Sequence, residues 1–199
     1  IITKFIGFFF CFFLSRVFSE ESLGIFGLTA PVMMLVHSVC AAGIQNAITR
    51  YVASSKKSRA SEAYTYLFTG MAISVFLSGA MAYIIFNHAP YIAIHIIGER
   101  RCTPLLRISA LSFPLATVHS CINGFFYGQK RAAIPAWSMI IEQICRVVTV
   151  YILCMLSVEA GLNISMSYIC LGLLAGEFSS AIFSSFMLAM KPNCPKFSI

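Results

Sequence analysis

The stretch Pro135-Ala-Trp-Ser-Met-Ile-Ile-Glu142-Gln-Ile-Cys-Arg146-Val-Val-Thr-Val-Tyr-Ile-Leu-Cys-Met-Leu-Ser157 decides the fold. It exceeds the roughly 20 helical residues that cross a bilayer core of about 30 Å. Yet it holds Glu142 and Arg146 well inside its ends. A charged side chain at the centre of a membrane helix costs roughly 2.5–3.5 kcal/mol on insertion scales, so it faces a protein interior or a wet cavity rather than lipid. Ser138, Glu142, Arg146 and Thr149 recur at steps of four, four and three, which gathers them on one helical face. A helix of this kind belongs to a polytopic membrane protein with a polar passage or polar interior.

Working outward, comparable apolar runs fill nearly all of the 199 residues: 1–18, 23–52, 61–86, 103–127, 132–157 and 164–190. The expectation is an all-α chain of six transmembrane helices, the first missing its beginning. Pro31 lies one or two turns into the second run and predicts a kink or a late helix start there. Pro114 predicts a bend in the fourth, whereas Pro104 and Pro135 stand near helix starts, where a missing N–H does no harm. Residues 89–98 are too short to span and contain His95, so they read as an interfacial segment after a helix ending near Phe86. The chain opens apolar at Ile1, without a signal-peptide pattern, and ends in Lys191-Pro-Asn-Cys-Pro-Lys196, a helix stop leading elsewhere. It is expected to be a piece of a longer protein.

Composition excludes other classes. Hydrophobic residues make up 59%, charged residues 11%, and mean hydropathy is +0.85, against about 25% charged residues in soluble domains. The net charge of +7 comes from Lys and Arg placed mostly in the joints between runs, which argues for membrane orientation and against a nucleic-acid partner. Lys56, Lys57 and Arg59, then Lys130 and Arg131, then Lys191 and Lys196 mark alternate joints, while Ser19–Ser22 and Glu159–Asn163 carry no basic residue. Positive-inside therefore puts the Lys-rich joints in the cytoplasm. Arg100 and Arg101 fall on the outer side and break the pattern. The eight cysteines form no CxxC and sit mostly inside apolar runs, so neither a disulfide framework nor a metal site is expected.

Polar stripes recur in two other runs. Ser109, Ser112, Ala116, Ser120 and Asn123 share a face in the fourth, and Ser38, Ala42, Gln45 and Thr49 share one in the second, with Asn46 and Arg50 beside them. Three such helices can converge on one cavity. Small residues also let membrane helices pack closely, which is the simpler reading of the Ser and Ala positions but not of Arg50, Glu142 and Arg146. Glu142 and Arg146 at i, i+4 can meet. They read either as a mutually neutralising pair that allows insertion or as a site where Arg146 holds an anionic group and Glu142 is its exchangeable partner. Glu177 is a third intramembrane candidate, and Glu142 and Glu177 are the candidates for coupling to a proton or cation. His37 and His119 lie within helices and can line a cavity, although satisfied interior histidines are common. The chain shows no phosphate loop, HExxH or nucleophile elbow. An enzyme is not expected, nor any cofactor. The sequon at Asn163 reads as chance.

Several segments together resemble a known family. Ile2-Thr-Lys-Phe-Ile-Gly7, then Leu23-Gly-Ile-Phe-Gly27 with Pro31, and Ala42-Gly-Ile-Gln-Asn-Ala-Ile-Thr-Arg-Tyr-Val-Ala53 are similar to the opening of the stage V sporulation protein B family. Gly124-Phe-Phe-Tyr-Gly-Gln129, Pro135-Ala136 and Ile141-Glu-Gln-Ile-Cys-Arg146 resemble its most recognisable segment, with order and spacing kept. That family belongs to the multidrug/oligosaccharidyl-lipid/polysaccharide exporter superfamily. The resemblance implies one N-terminal lobe of a two-lobe exporter fold, with the C-terminal lobe absent from these 199 residues. It also implies transport of a polyprenyl-diphosphate-linked sugar by alternating access in a bacterial cell membrane, in service of cell-wall or sporulation chemistry. The implied partners are membrane lipids, that glycolipid and the second lobe. Relatives carry Arg where Cys11 and Asn123 stand here, so holding an anionic headgroup would fall to Arg16, Arg50 and Arg146, with Gln45, Asn46, Asn123 and Glu142 also facing the cavity. Two rivals are a cation-coupled drug or metabolite antiporter of the same superfamily and a truncated, non-transporting membrane protein. This segment alone is expected to be inactive.

Overall fold

The structure, a computed structural model, describes residues 2–54, 60–161 and 165–190. Among them are eight α-helices and no strand: α1 (Ile2–Val17), α2 (Glu20–His37), α3 (Gly43–Ser54), α4 (Ala60–Tyr91), α5 (Cys102–Ala110), α6 (Ser112–Gly128), α7 (Ala133–Glu159) and α8 (Ser167–Ala189). Lys56, Lys57, Arg59, Asn163, Lys191 and Lys196 lie outside the described residues.

The second run starts earlier than Pro31 suggested. Ser19 caps α2 by accepting from the Ser22 N–H at 3.3 Å, and Glu20 and Glu21 occupy the first turn, where the helix dipole favours acids. The helix passes Pro31, takes a π-helical turn over Ser38–Ala42 and continues as α3, making one candidate span, Glu20–Ser54. In the third run, α4 does not stop near Phe86. It runs to Tyr91 and through a second π-helical turn, Ile92–Ile97, until Gly98 at φ 84° ends it in the left-handed conformation that favours glycine. The separate interfacial segment is thus corrected to a continuous helix. Its polar side chains do not interrupt the backbone, because Asn87 donates back to the Tyr83 carbonyl and His95 stacks on Tyr91 at 4.4 Å. Pro114, in the first turn of α6, does accompany a bend: α5 and α6 meet at 41° about Leu111.

Four helical segments are long and apolar enough to cross a membrane, and α5 with α6 makes a fifth if counted as one bent span. α1 has 16 residues, fewer than the roughly 17–25 a span uses. Large apolar side chains point outward, Phe76 at 80% exposed and Met34 at 72%, as a lipid-covered surface requires.

Two glycine pairs set the packing. Gly124 and Gly128 of α6 face α3 so closely that an added Cβ would lie 2.8 Å from the Gln45 and Thr49 carbonyl oxygens, respectively. Gly172 and Gly176 of α8 face α7 in the same way, with the Gly176 position 2.9 Å from the Glu142 carbonyl oxygen. Both are Gly-x-x-x-Gly, the spacing that lets membrane helices approach backbone to backbone. Thr49 uses the first seam to donate to the Gly124 carbonyl at 3.0 Å. Around the seams lie three small cores, centred on Leu105 and Leu106, on Leu67 with Phe125 and Phe126, and on Val150 with Phe10.

Arg101, one of the outer-side exceptions, donates to Glu21 at 2.6 Å. The start of α2 and the start of α5 therefore lie together. Between exposed groups such a pair marks proximity more than it adds stability.

Candidate functional site

The polar residues of α6, α7 and α8 meet in two tiers. In one tier the Ser138 hydroxyl sits between Ser180 at 2.6 Å and Ser184 at 3.0 Å, all three fully buried, and Ser184 reaches Asn123 Oδ1 at 3.5 Å. One helical turn along each helix stand His119, Glu142 and Glu177. The periodicity that put Ser138 and Glu142 on one face of α7 thus also aligns Asn123 with His119 on α6, and Ser180 with Glu177 on α8. The Gly172–Gly176 seam draws α7 and α8 close enough for the second tier to form.

In that tier Arg146 Nη2 donates to Glu142 Oε1 at 2.5 Å. The His119 ring lies between the two carboxylates: Nδ1 is 3.0 Å from Glu177 Oε2, and Nε2 is 4.0 Å from Glu142 Oε2. The side chains are 10% (His119), 15% (Glu142), 12% (Glu177) and 19% (Arg146) exposed. His119 Nδ1, Glu177 Oε2 and Arg146 Nε are buried and complete no hydrogen bond among the described residues. The Nδ1–Oε2 pair is close in distance but out of line.

Each of His119, Glu142 and Glu177 offers one atom of metal-binding type, all within 4.8 Å of one another. A metal needs those lone pairs to converge on one point. Here the carboxylates approach opposite nitrogens of one imidazole, and Arg146 already occupies Glu142.

Glu177 also opens onto a cavity of about 360 Å³ between α2, α5, α6 and α8, where His37, Ser38, Ala42, Ser109, Ser112 and Ala116 stand. Ser38 and Ala42 of the second run's stripe and Ser109, Ser112 and Ala116 of the fourth's share this cavity, whereas Gln45, Thr49, Ser120 and Asn123 do not line it. The fifth run's stripe turns instead to α8.

The remaining candidates lie elsewhere. Arg50 and Asn46 line an open cleft of about 560 Å³ with Gly43, Ala47, Tyr51 and Ser54. Beside it Tyr51 stacks on Tyr66 at 5.3 Å. Gln45 packs at the Gly124 seam. Arg16 is exposed near the end of α1, its guanidinium 5.3 Å from the Phe12 ring centroid. Cys11 is exposed, and Asn123 is buried in the serine tier.

His119 is the residue the sequence undersold. It stands four residues before Asn123, on the very stripe that pointed inward, but a lone histidine in an apolar run does not announce its partners.

Apolar helices on the outside and a buried, ionisable centre inside define a multi-pass membrane protein with a polar interior. The chain belongs to the polysaccharide biosynthesis protein family, whose model matches residues 1–199. It is 24% identical over 184 residues to stage V sporulation protein B of Bacillus subtilis (strain 168), an alignment covering 92% of this chain and 35% of that protein. The chain thus spans about a third of that relative's length. No solved structure gives a significant match.

Proposed function

We propose that this chain forms one lobe of an exporter that moves a lipid-linked oligosaccharide or peptidoglycan precursor across a bacterial plasma membrane by alternating access. In this reading α1 completes a sixth span, and a second lobe supplies the other wall of the passage. The protein performs no covalent chemistry. Its work is binding and conformational exchange. The observation that carries the reading is a buried cluster of charged residues in a family tied to polysaccharide biosynthesis, because intramembrane charges persist where they serve a passage.

Two polar regions then divide the task. The Arg50 cleft suits the diphosphate headgroup: it is open, lies at the end of a span, and offers a guanidinium for bidentate phosphate contact. Arg146 suits it less, because Glu142 already neutralises it. Glu142 and Glu177 suit the coupling ion. The same acids favour a second reading, a cation-coupled drug or metabolite antiporter.

Vesicles carrying the full-length parent test the first reading. Arg50→Ala should reduce flipping of lipid-linked sugar with expression intact. Normal flipping by that variant would leave Arg50 only an anchoring role, and efflux of cationic drugs without any glycolipid flipping would favour the antiporter.

A further inference from the structure

His119 is unused by the headgroup reading, yet it is the most enclosed ionisable side chain of the cluster. The charges around it do not balance. Arg146 supplies one positive charge, and Glu142 and Glu177 supply two negative ones. With a neutral imidazole the cluster holds one net negative charge in a setting that penalises unpaired charge heavily. One added positive charge closes the sum.

The geometry says what form that charge takes. The imidazole presents a nitrogen to each carboxylate, Nδ1 toward Glu177 and Nε2 toward Glu142. An imidazolium has N–H donors at both nitrogens, so a doubly protonated ring faces a carboxylate with a proton on each side, at 3.0 Å from Nδ1 and 4.0 Å from Nε2. A neutral ring leaves one of those nitrogens facing an anionic oxygen without a proton between them. Among the described residues, the other elements packed on α6 bring no competing charge to the ring. Thr49 of α3 bonds the Gly124 carbonyl, Ser78 of α4 bonds Thr117, and Arg107 of α5 lies over Phe86. From α2, His37 lines the cavity that Glu177 also lines.

We propose that His119, held between Glu142 and Glu177, is the seat of one exchangeable proton that reaches it from the His37–Glu177 cavity. The step is simple to balance. A hydronium ion gives its proton to the bare imidazole nitrogen, one N–H bond forms as one O–H bond breaks, water leaves, and the cluster passes from one negative charge to zero. Binding of the proton stands by itself. Its use in driving transport rests on the exporter reading.

The test is nitrogen NMR on the chain carrying ¹⁵N-histidine in lipid nanodiscs and sodium-free buffer, with His119 assigned by loss of its signals in His119→Gln. We expect His119 to be an imidazolium near neutral pH and to lose its proton as pH rises. In Glu177→Gln that loss should occur at about tenfold higher proton concentration, one pH unit lower. Glu177→Asp, which keeps the carboxylate, should restore most of the difference and guards against a folding artefact. A single neutral tautomer throughout the range from about pH 5 to pH 8 would overturn the proposal. So would a titration indifferent to Glu177→Gln, or a neutral ring whose signals move only when sodium is added. The exporter reading fails separately: proton binding at His119 in a parent that flips no lipid-linked sugar sinks transport and spares the proton site.

Discussion

At the Gly124–Gly128 seam, α3 lies against α6, and Asn46 and Arg50 are left on the open side of α3. At the Gly172–Gly176 seam, α8 lies against α7, and Glu142 and Arg146 are themselves the residues pressed against the glycines. The packing device is the same and the electrical outcome is opposite. Arg50 follows Thr49, the contact residue, by one position, about 100° around the helix, which is enough to turn a cation outward. Glu142 and Arg146, four apart, both fall on the contact line and are enclosed together. An open cation without an enclosed counter-charge suits a visiting anion, whereas an enclosed cluster that balances only with an added proton suits a coupling role. Where a charge sits relative to its helix seam therefore separates the two roles proposed for these regions.

The largest expected effect comes from unpairing the enclosed seam. Glu142→Gln or Arg146→Gln alone should destabilise the inserted chain by roughly 3–5 kcal/mol, and the double variant should recover most of that, since replacing both partners of a buried pair is often nearly neutral. Membrane-inserted yield and thermal unfolding of the three variants measure it. In the full-length parent the double variant should insert yet fail to flip lipid-linked sugar. Recovery of flipping would remove the pair from the functional site.

Overfilling each seam sharpens the contrast. Gly176→Ala and Gly124→Ala each press a Cβ onto a backbone carbonyl and should each cost about 1–3 kcal/mol. Only Gly176→Ala should also disturb the His119 nitrogen signals. Equal disturbance by both would mean that the two regions are not independent.

The serine tier predicts the smallest change. Ser138→Ala removes both hydroxyl contacts to α8 and should cost only about 0.6 kcal/mol, the mean for side-chain hydrogen bonds measured inside a membrane protein. A loss several times larger in thermal unfolding would make that tier, rather than the glycine seam, the main link between α7 and α8.

Much of this was legible in the sequence. Periodicity put Ser138, Glu142 and Arg146 on one face, and Pro114 marked the bend between α5 and α6. Helix ends were harder, because they depend on local capping that hydropathy does not see. Ser19 started α2 ahead of Pro31, and Gly98 let α4 run on past Phe86. The two Gly-x-x-x-Gly spacings were present in plain view and mark α6 and α8 as close-packing helices, but the spacing does not name α3 and α7 as their partners. The approach of His119 to Glu177 was not legible, since it joins residues 58 positions apart (177 less 119) through the packing of α6 on α8.

The central claim is that the open cation receives the anionic headgroup and the enclosed cluster does not. Binding of a polyprenyl diphosphate to the chain in nanodiscs, titrated for Arg50→Ala and for the Glu142→Gln/Arg146→Gln double variant, tests it most directly. The account predicts that Arg50→Ala weakens binding about tenfold, near 1.4 kcal/mol, while the double variant binds as the parent chain does. Loss of binding in the double variant with normal binding in Arg50→Ala would contradict it.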